Sequence, residues 1–283
     1  MKNNSIRKMV IWLIVIMIIS LTIAFIAFVN TGNYKILLQS PNHDKGKAID
    51  ELRIMNMDNV NHIYLTAVSS EIHIYASERS DMEIHFFGNS FFDCERACPK
   101  LMTELTGDRI NIKVEYPKML FNHLNVTLDV YIPRGYTGNI YTSNVSGKTW
   151  IENLDLEQCS CTTVSGDLKL KNINSKDINL NTTSGNIFVN DITGNLLVHS
   201  VSGDLDVSYD IFSNFIDIKT ISGEVKINLP QDAKFNLNTD TLSGKVISQF
   251  SDFMKSSEKG NQPESIKNNI SIKTVSGDIF LSK

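Results

Sequence analysis

The sequence lacks the short motifs that mark common catalytic centres. It contains no G-x-S-x-G nucleophile elbow, no Walker phosphate-binding loop and no H-E-x-x-H zinc motif. Its six histidines are scattered along the chain and form no cluster with the spacing of metal ligands. The sequence therefore predicts a protein that is not an enzyme and that holds no cofactor or metal.

Basic charge is also scarce. The 283 residues contain 27 Lys and Arg against 31 Asp and Glu, and three of the basic residues but none of the acidic ones lie in the first 29 positions. The remaining chain therefore has 24 basic and 31 acidic residues, a net charge of about -7. Because phosphates and envelope polyanions repel such a domain, we expect no nucleic-acid partner.

The N-terminus contains one long apolar run. Residues 9–29 include only Ser20 and Thr22 as polar residues, and as a helix they would span the roughly 30 Å hydrocarbon layer of a bilayer. The basic residues within 1–8 predict a cytoplasmic tail, a single transmembrane anchor and an extracytoplasmic remainder that begins with a polar linker at 30–48. A cleaved signal peptide is the alternative, but the run is longer than a signal core and no A-x-A site follows it.

A nine-residue phrase is repeated along the second half of the chain. Its clearest copies are TTVSGDLKL, NTTSGNIFV, HSVSGDLDV, KTISGEVKI and KTVSGDIFL. Seven Ser-Gly pairs begin at Ser146, Ser165, Ser184, Ser202, Ser222, Ser243 and Ser276. Their spacings of 19, 19, 18, 20, 21 and 33 residues indicate a structural repeat rather than a scatter of turns.

The apolar pattern around each Ser-Gly pair predicts strands and a corner. Counting from the Ser, apolar residues recur at minus six and minus four and again at plus three and plus five, which is the period of half-buried strands. The change of parity predicts a corner at the glycines, which are Gly147, Gly166, Gly185, Gly203, Gly223, Gly244 and Gly277. Such units bury their apolar side only by stacking, at about 4.8 Å per coil. We therefore predict an all-β fold, a β-solenoid-like stack of coils with two facing sheets; a β-sandwich of hairpins is the alternative.

The rest of the chain is assigned relative to this stack. Residues 49–135 contain strand-like runs without the Ser-Gly phrase, and we expect them to begin the same sheets. Residues 136–283 form the repeat solenoid, with an inserted loop at about 251–268 that is rich in Ser, Lys and Gly. Because the chain ends directly after the last predicted strand, we expect that this edge is either covered by the insertion at Phe250 to Met254 or open to self-association or a docked partner.

The four cysteines fall into two pairs. Cys159 and Cys161 occupy the slots that hold Ile178 and Leu180 one repeat later, so we expect them in the core. Cys94 and Cys98 have a spacing that permits a local disulfide, which fits the oxidising environment outside the membrane.

An acidic residue often follows the glycine, as at Asp167, Asp204 and Glu224. In a parallel solenoid these carboxylates would form an outward column, which is the basis of one alternative function: a carbohydrate-active or cation-binding β-helix. The simpler interpretation is that Asp and Asn after Gly suit a turn.

The outward plus-four positions contain an unusual share of apolar residues for a solvated face. They are Trp150, Lys169, Phe188, Asp206, Lys226, Ile247 and Phe280. Because large exposed apolar patches tend to mark contact surfaces, we predict an interaction surface at Trp150, Lys169, Phe188, Ile247 and Phe280.

The repeated [TS]-x-S-G-[DNEK]-[LIV]-x-[LIV] phrase, the preceding DVYIPRGY at 129–136 and the single anchor resemble a bacterial β-strand-repeat family. Its members are adhesin-like proteins with a domain of unknown function, and they include LiaG-type envelope proteins. The resemblance covers about residues 49–283. It implies a β-solenoid-like domain on the outer side of the cell membrane and a link to envelope-stress signalling in some members, and it supplies no catalytic residues.

These observations lead to one expected function. The chain is predicted to be a single-pass cell-membrane protein whose extracytoplasmic β-domain acts as a non-enzymatic, adhesin-like scaffold of the bacterial envelope. Its expected partners are the membrane, through the N-terminal helix, and another envelope protein or a cell-wall polymer.

Overall fold

The computed structural model describes residues 47–90, 98–116, 124–212, 214–250, 254–255 and 268–283. These residues form nineteen β-strands: β1 Lys47–Met55, β2 His62–Thr66, β3 Glu71–Ser77, β4 Met82–Ser90, β5 Lys100–Thr106, β6 Arg109–Glu115, β7 Leu124–Pro133, β8 Asn139–Asn144, β9 Thr149–Thr163, β10 Leu168–Thr182, β11 Ile187–Ser200, β12 Leu205–Ser208, β13 Phe215–Ser222, β14 Val225–Asn228, β15 Asn236–Ser243, β16 Val246–Ser248, β17 Met254–Lys255, β18 Asn269–Ser276 and β19 Ile279–Ser282. No helix that is long and apolar enough to cross a bilayer lies in this part of the chain. The predicted anchor at residues 9–29 and most of the predicted loop at 251–268 fall outside it.

The strands stack into a solenoid with two faces. The front face consists of four strands of the non-repetitive region and the segments that follow each Ser-Gly step, in the spatial order β1, β4, β7, β3, β9, β10, β11, β12, β14, β19, β16. The back face consists of three strands of the non-repetitive region, the segments that precede each Ser-Gly step and the short strand β17, in the order β5, β6, β2, β8, β9, β10, β11, β13, β18, β15, β17. All repeats pair in parallel, which excludes the sandwich of hairpins and confirms the predicted β-solenoid-like fold.

Strands β9, β10 and β11 each run through both faces, and each contains one Asn or Asp residue with a left-handed backbone where it leaves the front face. Asn153, Asn172 and Asp191 have positive φ angles of 61°, 51° and 53°, a left-handed conformation that Asn and Asp tolerate better than other residues with a side chain. Asn172 Nδ2 also donates a hydrogen bond of 2.8 Å to Asn153 Oδ1 of the neighbouring coil. These residues form the second corner of the coil.

The core lies between the two faces and consists of ladders of aliphatic side chains. In one ladder, Ile178 lies in register between Cys159 and Leu196, and all three side chains are fully buried. Each ladder adds apolar area as a coil is stacked, and burial stabilises the fold by roughly 25 cal/mol per Å². Cys159 and Cys161 therefore replace aliphatic residues in the core.

The Ser-Gly corner permits the close approach of successive coils. A Cβ atom on Gly185 would lie 1.8 Å from the Gly166 carbonyl oxygen, and a Cβ atom on any other corner glycine would lie within 2.3 Å of a carbonyl oxygen of the adjacent coil. At two corners the glycine amide is satisfied by the Thr three residues earlier, since Gly166 N donates to Thr163 Oγ1 at 2.9 Å and Gly185 N to Thr182 Oγ1 at 2.8 Å. Sequence and packing thus require Gly at this position.

The order of the coils departs from the order of the sequence at the C-terminal end. The coil β18–β19 lies between β13–β14 and β15–β16, so the sixth repeat and not the seventh is outermost. The prediction that the last strand forms an open edge for self-association is therefore wrong, because β19 pairs on one side with β14 and on the other with β16. Among the described strands, β16 is the edge of the front face at this end.

The N-terminal end shows a related departure. The coil β2–β3 lies between β6–β7 and the first Ser-Gly coil. Beyond β6–β7, the antiparallel strands β4 and β1 extend the front face and antiparallel β5 extends the back face. The non-repetitive region therefore continues both faces and ends the stack with antiparallel strands.

Candidate functional site

The candidate site is a row of side chains that project outward from the front face at the plus-four position. Parallel register places these residues on successive strands, in the spatial order His73, Trp150, Lys169, Phe188, Asp206, Lys226, Phe280 and Ile247. We call these eight residues the front-face row. Adjacent members stand about 4.8 Å apart along the stack, so they form one continuous surface.

Trp150, Lys169 and Phe188 form the most closely organised part of this row. Lys169 Nζ lies 5.4 Å from the ring centroid of Trp150 and 5.4 Å from that of Phe188. Trp150 is 37% exposed and Phe188 is 39% exposed. Each cation–π contact contributes about 0.5–1 kcal/mol at an exposed site, so the two rings hold the lysine between them. The result is a charged group held between two exposed aromatic rings.

The row continues onto strands that lack the Ser-Gly phrase. The His73 ring meets the Trp150 ring edge-on with centroids 6.2 Å apart, and His73 Nδ1 lies 3.0 Å from Asp129 Oδ1. The sequence pattern did not identify His73 and Asp129, because they belong to the non-repetitive region, whose register the repeats do not determine. The alternation in EIHIYAS and LNVTLDVYIP was the only signal that they face outward.

A pair of tyrosines flanks this part of the row. The rings of Tyr75 and Tyr131 stack with centroids 5.6 Å apart. Partial burial, with the nearby charges of Asp129 and Glu152, raises the pKa of Tyr75, and partial burial with Asp129 raises the pKa of Tyr131. Both phenols therefore remain neutral hydrogen-bonding groups at physiological pH.

The structure divides the predicted interaction surface into two parts. Phe280 and Ile247 are direct neighbours because β19 lies beside β16. Asp206 and Lys226 separate them from Phe188. Lys226 also forms an ion pair with Glu224, and this contact raises its pKa. The front-face row therefore has an aromatic half and a charged and apolar half.

The acidic column beside the corner has a structural use. Asp167 Oδ1 accepts the Asn186 backbone N–H at 3.0 Å, Asn186 Oδ1 accepts that of Asp204 at 3.0 Å, and Asp204 Oδ1 accepts that of Glu224 at 2.9 Å. Each side chain thus satisfies the next coil's backbone. Among the residues that the structure describes, no group of three or more His, Cys, Asp or Glu side chains could hold a metal ion.

A second surface feature is an open polar cleft of about 560 Å³ on the side of the stack. Its walls include Glu157, Asn174, Lys176 and Thr193. Lys176 Nζ donates to Glu157 Oε1 at 3.1 Å, and Thr193 Oγ1 donates to Asn174 Oδ1. These two contacts join neighbouring coils across the cleft.

The cysteines play no part in the front-face row. The Sγ atoms of Cys159 and Cys161 lie 4.0 Å apart in the core, and their hydrogen bond together with burial raises the pKa of the Cys159 thiol. Cys98 is disulfide-bonded. Cys94 lies outside the described residues, so the Cys94–Cys98 pairing stays a prediction.

Solved structures from several bacteria resemble this chain. A candidate cell adhesion protein from Clostridium sporogenes shares 15% identity and a TM-score of 0.41, with 83% of this chain and 99% of that chain covered. A candidate adhesin from Bacteroides fragilis shares 13% identity and a TM-score of 0.43, with 85% of this chain and 98% of that chain covered. A candidate lipid-binding protein from Parabacteroides distasonis shares 13% identity and a TM-score of 0.44, with 83% of this chain and 97% of that chain covered. No curated protein matches the chain.

A family model identifies the chain more directly. The model described as Toastrack DUF4097 matches residues 60–282, which include all seven Ser-Gly copies and most of the non-repetitive strands. The match confirms the resemblance based on the Ser-Gly phrase. The chain belongs to the Toastrack DUF4097 family.

Proposed function

We propose that this protein is a membrane-anchored, extracytoplasmic and non-enzymatic interaction module of the bacterial envelope, and that its front-face row binds another envelope protein. The observation that carries the proposal is the Trp150–Lys169–Phe188 arrangement, in which two exposed rings hold a cation. Tryptophan and other aromatic residues supply much of the binding energy of protein interfaces. The rigid stack holds these groups in place without a partner, so little conformational entropy is lost on binding.

Charge favours a protein over a wall polymer as the partner. The chain after residue 29 has a net charge of about -7, and an anionic polymer would be repelled by it. Basic, aromatic and acidic side chains are interspersed along the front-face row, where Phe188 and Asp206 lie between Lys169 and Lys226. A protein surface with complementary groups can match this pattern, and such charges set specificity more than affinity.

The acidic column gives little support to a cation-binding or carbohydrate-cleaving activity. One oxygen each of Asp167 and Asp204 already accepts a backbone N–H of the next coil. A role in envelope-stress signalling, which the resemblance implies, would follow if the bound partner were a membrane sensor.

The test is affinity capture with the full-length chain, solubilised in mild detergent, from an envelope extract of its own bacterium. The test variant is Trp150→Ala with Phe188→Ala. The matched control is Tyr64→Ala with Tyr141→Ala, since this pair stacks on the back face with ring centroids 4.6 Å apart. In parallel, purified cell walls are incubated with the same three proteins.

We expect one defined protein to be retained by the native chain and by the back-face control but not by the front-face variant. Retention by all three proteins would reject the front-face row as the binding surface. Binding to purified walls that depends on Trp150 and Phe188 would reject the protein partner in favour of a wall polymer.

A further inference from the structure

One end of the stack presents apolar side chains to solvent. Four of the twelve large apolar side chains that are exposed in the described part of the chain lie on the two end strands, β1 and β5. They are Leu52 at 51%, Ile54 at 57%, Met102 at 49% and Leu105 at 47% exposure. In the described residues β1 pairs only with β4 and β5 only with β6, so the four residues lie on the last strands of the stack. Leu52 and Ile54 lie on the outer side of the front face and Met102 on the outer side of the back face, whereas Leu105 lies on the core side, beside the buried Ile110. We call them the end cluster.

A second copy of the chain is a poor occupant for this end. Glu51 and Arg53 lie on the core-facing side of β1, opposite the buried Phe86 and Ile84. Arg53 Nη2 donates to Glu51 Oε2 at 3.1 Å, and Glu51 Oε1 accepts the Leu101 backbone N–H of β5 at 3.4 Å. Charged groups that point inward at an edge oppose the addition of another strand.

Chain continuity identifies a different occupant. Strand β1 begins at Lys47, and only residues 30–46 separate it from the apolar run at 9–29. Seventeen residues reach at most about 60 Å when fully extended, so the end that carries β1 stays within that distance of the bilayer that holds the run. Residues 30–46 are therefore long enough to permit contact with the lipid surface but do not require it. The exposed apolar side chains supply the reason for contact.

We propose that the end formed by β1 and β5 rests on the lipid bilayer, with the end cluster inserted at the boundary between head groups and acyl chains. Apolar side chains that enter this boundary bind in proportion to the apolar area they bury. Asp50, on the outer side of the same strand, remains at the level of the head groups, while the charge of Arg53 is compensated by Glu51 on the core-facing side. The solenoid axis then points away from the membrane, and the front-face row stands along its side, open to a partner.

This inference rests on the anchor of the proposed function, so the experiment measures both. The full-length chain is reconstituted into phosphatidylcholine vesicles whose acyl chains are brominated, because bromine quenches tryptophan fluorescence within the bilayer. Four single-tryptophan variants are compared. One keeps only Trp12 and has Trp150→Phe; the other three have both native tryptophans replaced by Phe and add Ile54→Trp, Met102→Trp or Ile247→Trp. Ile247 is the matched control, since it is 48% exposed on β16 at the opposite end. Circular dichroism confirms that each variant keeps its β-structure.

We expect bromine to reduce the emission of Trp12 and of the reporters at positions 54 and 102, and to leave the reporter at 247 unchanged. Quenching of Trp12 alone would overturn the inference while the anchor stands. Absence of quenching at Trp12 would overturn the anchor and the inference together. Equal quenching at positions 54 and 247 would show that the stack lies flat on the bilayer, which also contradicts the upright arrangement.

Discussion

Ile279 of the last strand lies directly beside Val225, although a complete repeat separates the two residues in the sequence. On its other side Ile279 lies beside Val246 of that intervening repeat. The last repeat is therefore held between two others, and its apolar side chains are as deeply buried as those in the middle of the stack. The C-terminal strands join the outermost coil to the rest of the protein.

This coil order predicts unequal effects of two core truncations. Ile279 is 0% exposed and Val246 is 39% exposed. Ile279→Ala should lower the free energy of unfolding by about 2–5 kcal/mol, because it leaves a cavity between two coils. Val246→Ala should cost less than about 1 kcal/mol, because that side chain is only partly removed from water. Urea denaturation followed by circular dichroism measures both values, and a larger cost for Val246→Ala would contradict the nested order.

The glycine corner predicts a steric cost that is specific to stacked positions. In Gly185→Ala the new Cβ would meet the carbonyl oxygen of Gly166, whereas in Gly135→Ala it would meet no atom within 4 Å. We expect the first variant to lose about 1–3 kcal/mol of stability from overpacking, and the second to lose little. Thermal unfolding of both variants under the same conditions provides the comparison, and equal midpoints would argue against close contact at the corner.

Buried threonines allow the corner hydrogen bond to be isolated. Thr163 Oγ1 accepts the Gly166 N–H, while the buried Thr149 Oγ1 has no hydrogen-bond partner within the described residues. Thr163→Val leaves a buried donor unsatisfied and should cost about 1–3 kcal/mol. Thr149→Val removes only an unpaired hydroxyl and should be neutral or stabilising. If both variants unfold at the same urea concentration, the hydrogen bond contributes nothing to the corner.

His199 predicts a loss of stability in mild acid. Burial lowers the pKa of His199 below its ordinary value of 6.5, and the neighbouring Lys219 lowers it further, while Asp217 opposes them. A group whose pKa is lower in the folded state binds protons more readily when unfolded. Its contribution to stability is therefore complete above about pH 6.5 and declines as the pH falls through the folded-state pKa.

The matched variant for this prediction is His199→Gln, which preserves a polar group that can contact Asn181 Oδ1, 3.3 Å from His199 Nδ1. We expect the free energy of unfolding of the native chain to decrease more between pH 7 and pH 5 than that of the variant. Parallel profiles would show that His199 is not responsible.

The sequence predicts the interior of each coil well and the order of the coils poorly. Leu168, Leu170, Ile178 and Leu180 were assignable to the core because alternation is a local property of a strand. The position of Ile279 was not assignable, because every repeat presents the same register and the same edge to its neighbours. Which coils meet is decided by the chain connections and by the fit of the end strands, and neither appears in a repeat pattern.

The candidate site was predictable to the same degree. Trp150, Lys169 and Phe188 belong to aligned repeats, so parallel stacking placed them side by side. His73 and Asp129 lie on strands that join the same face only through the non-repetitive region, and no repeat aligned them with Trp150. The hydrogen bond from the Asn186 backbone N–H to Asp167 could not be predicted, for another reason. An acidic residue after Gly is equally compatible with a turn, with a cation site and with a backbone hydrogen bond. Only the distance between neighbouring coils distinguishes among the three.

Site-specific photo-crosslinking in intact cells tests most directly whether the front-face row binds a partner protein. A photoreactive phenylalanine analogue replaces Phe188 in one strain and Tyr64, on the back face, in another, and the full-length chain is detected after irradiation. The proposed function predicts one discrete crosslinked product from position 188 and none from position 64. Products of the same size from both positions, or a product from position 64 alone, would contradict binding through the front-face row.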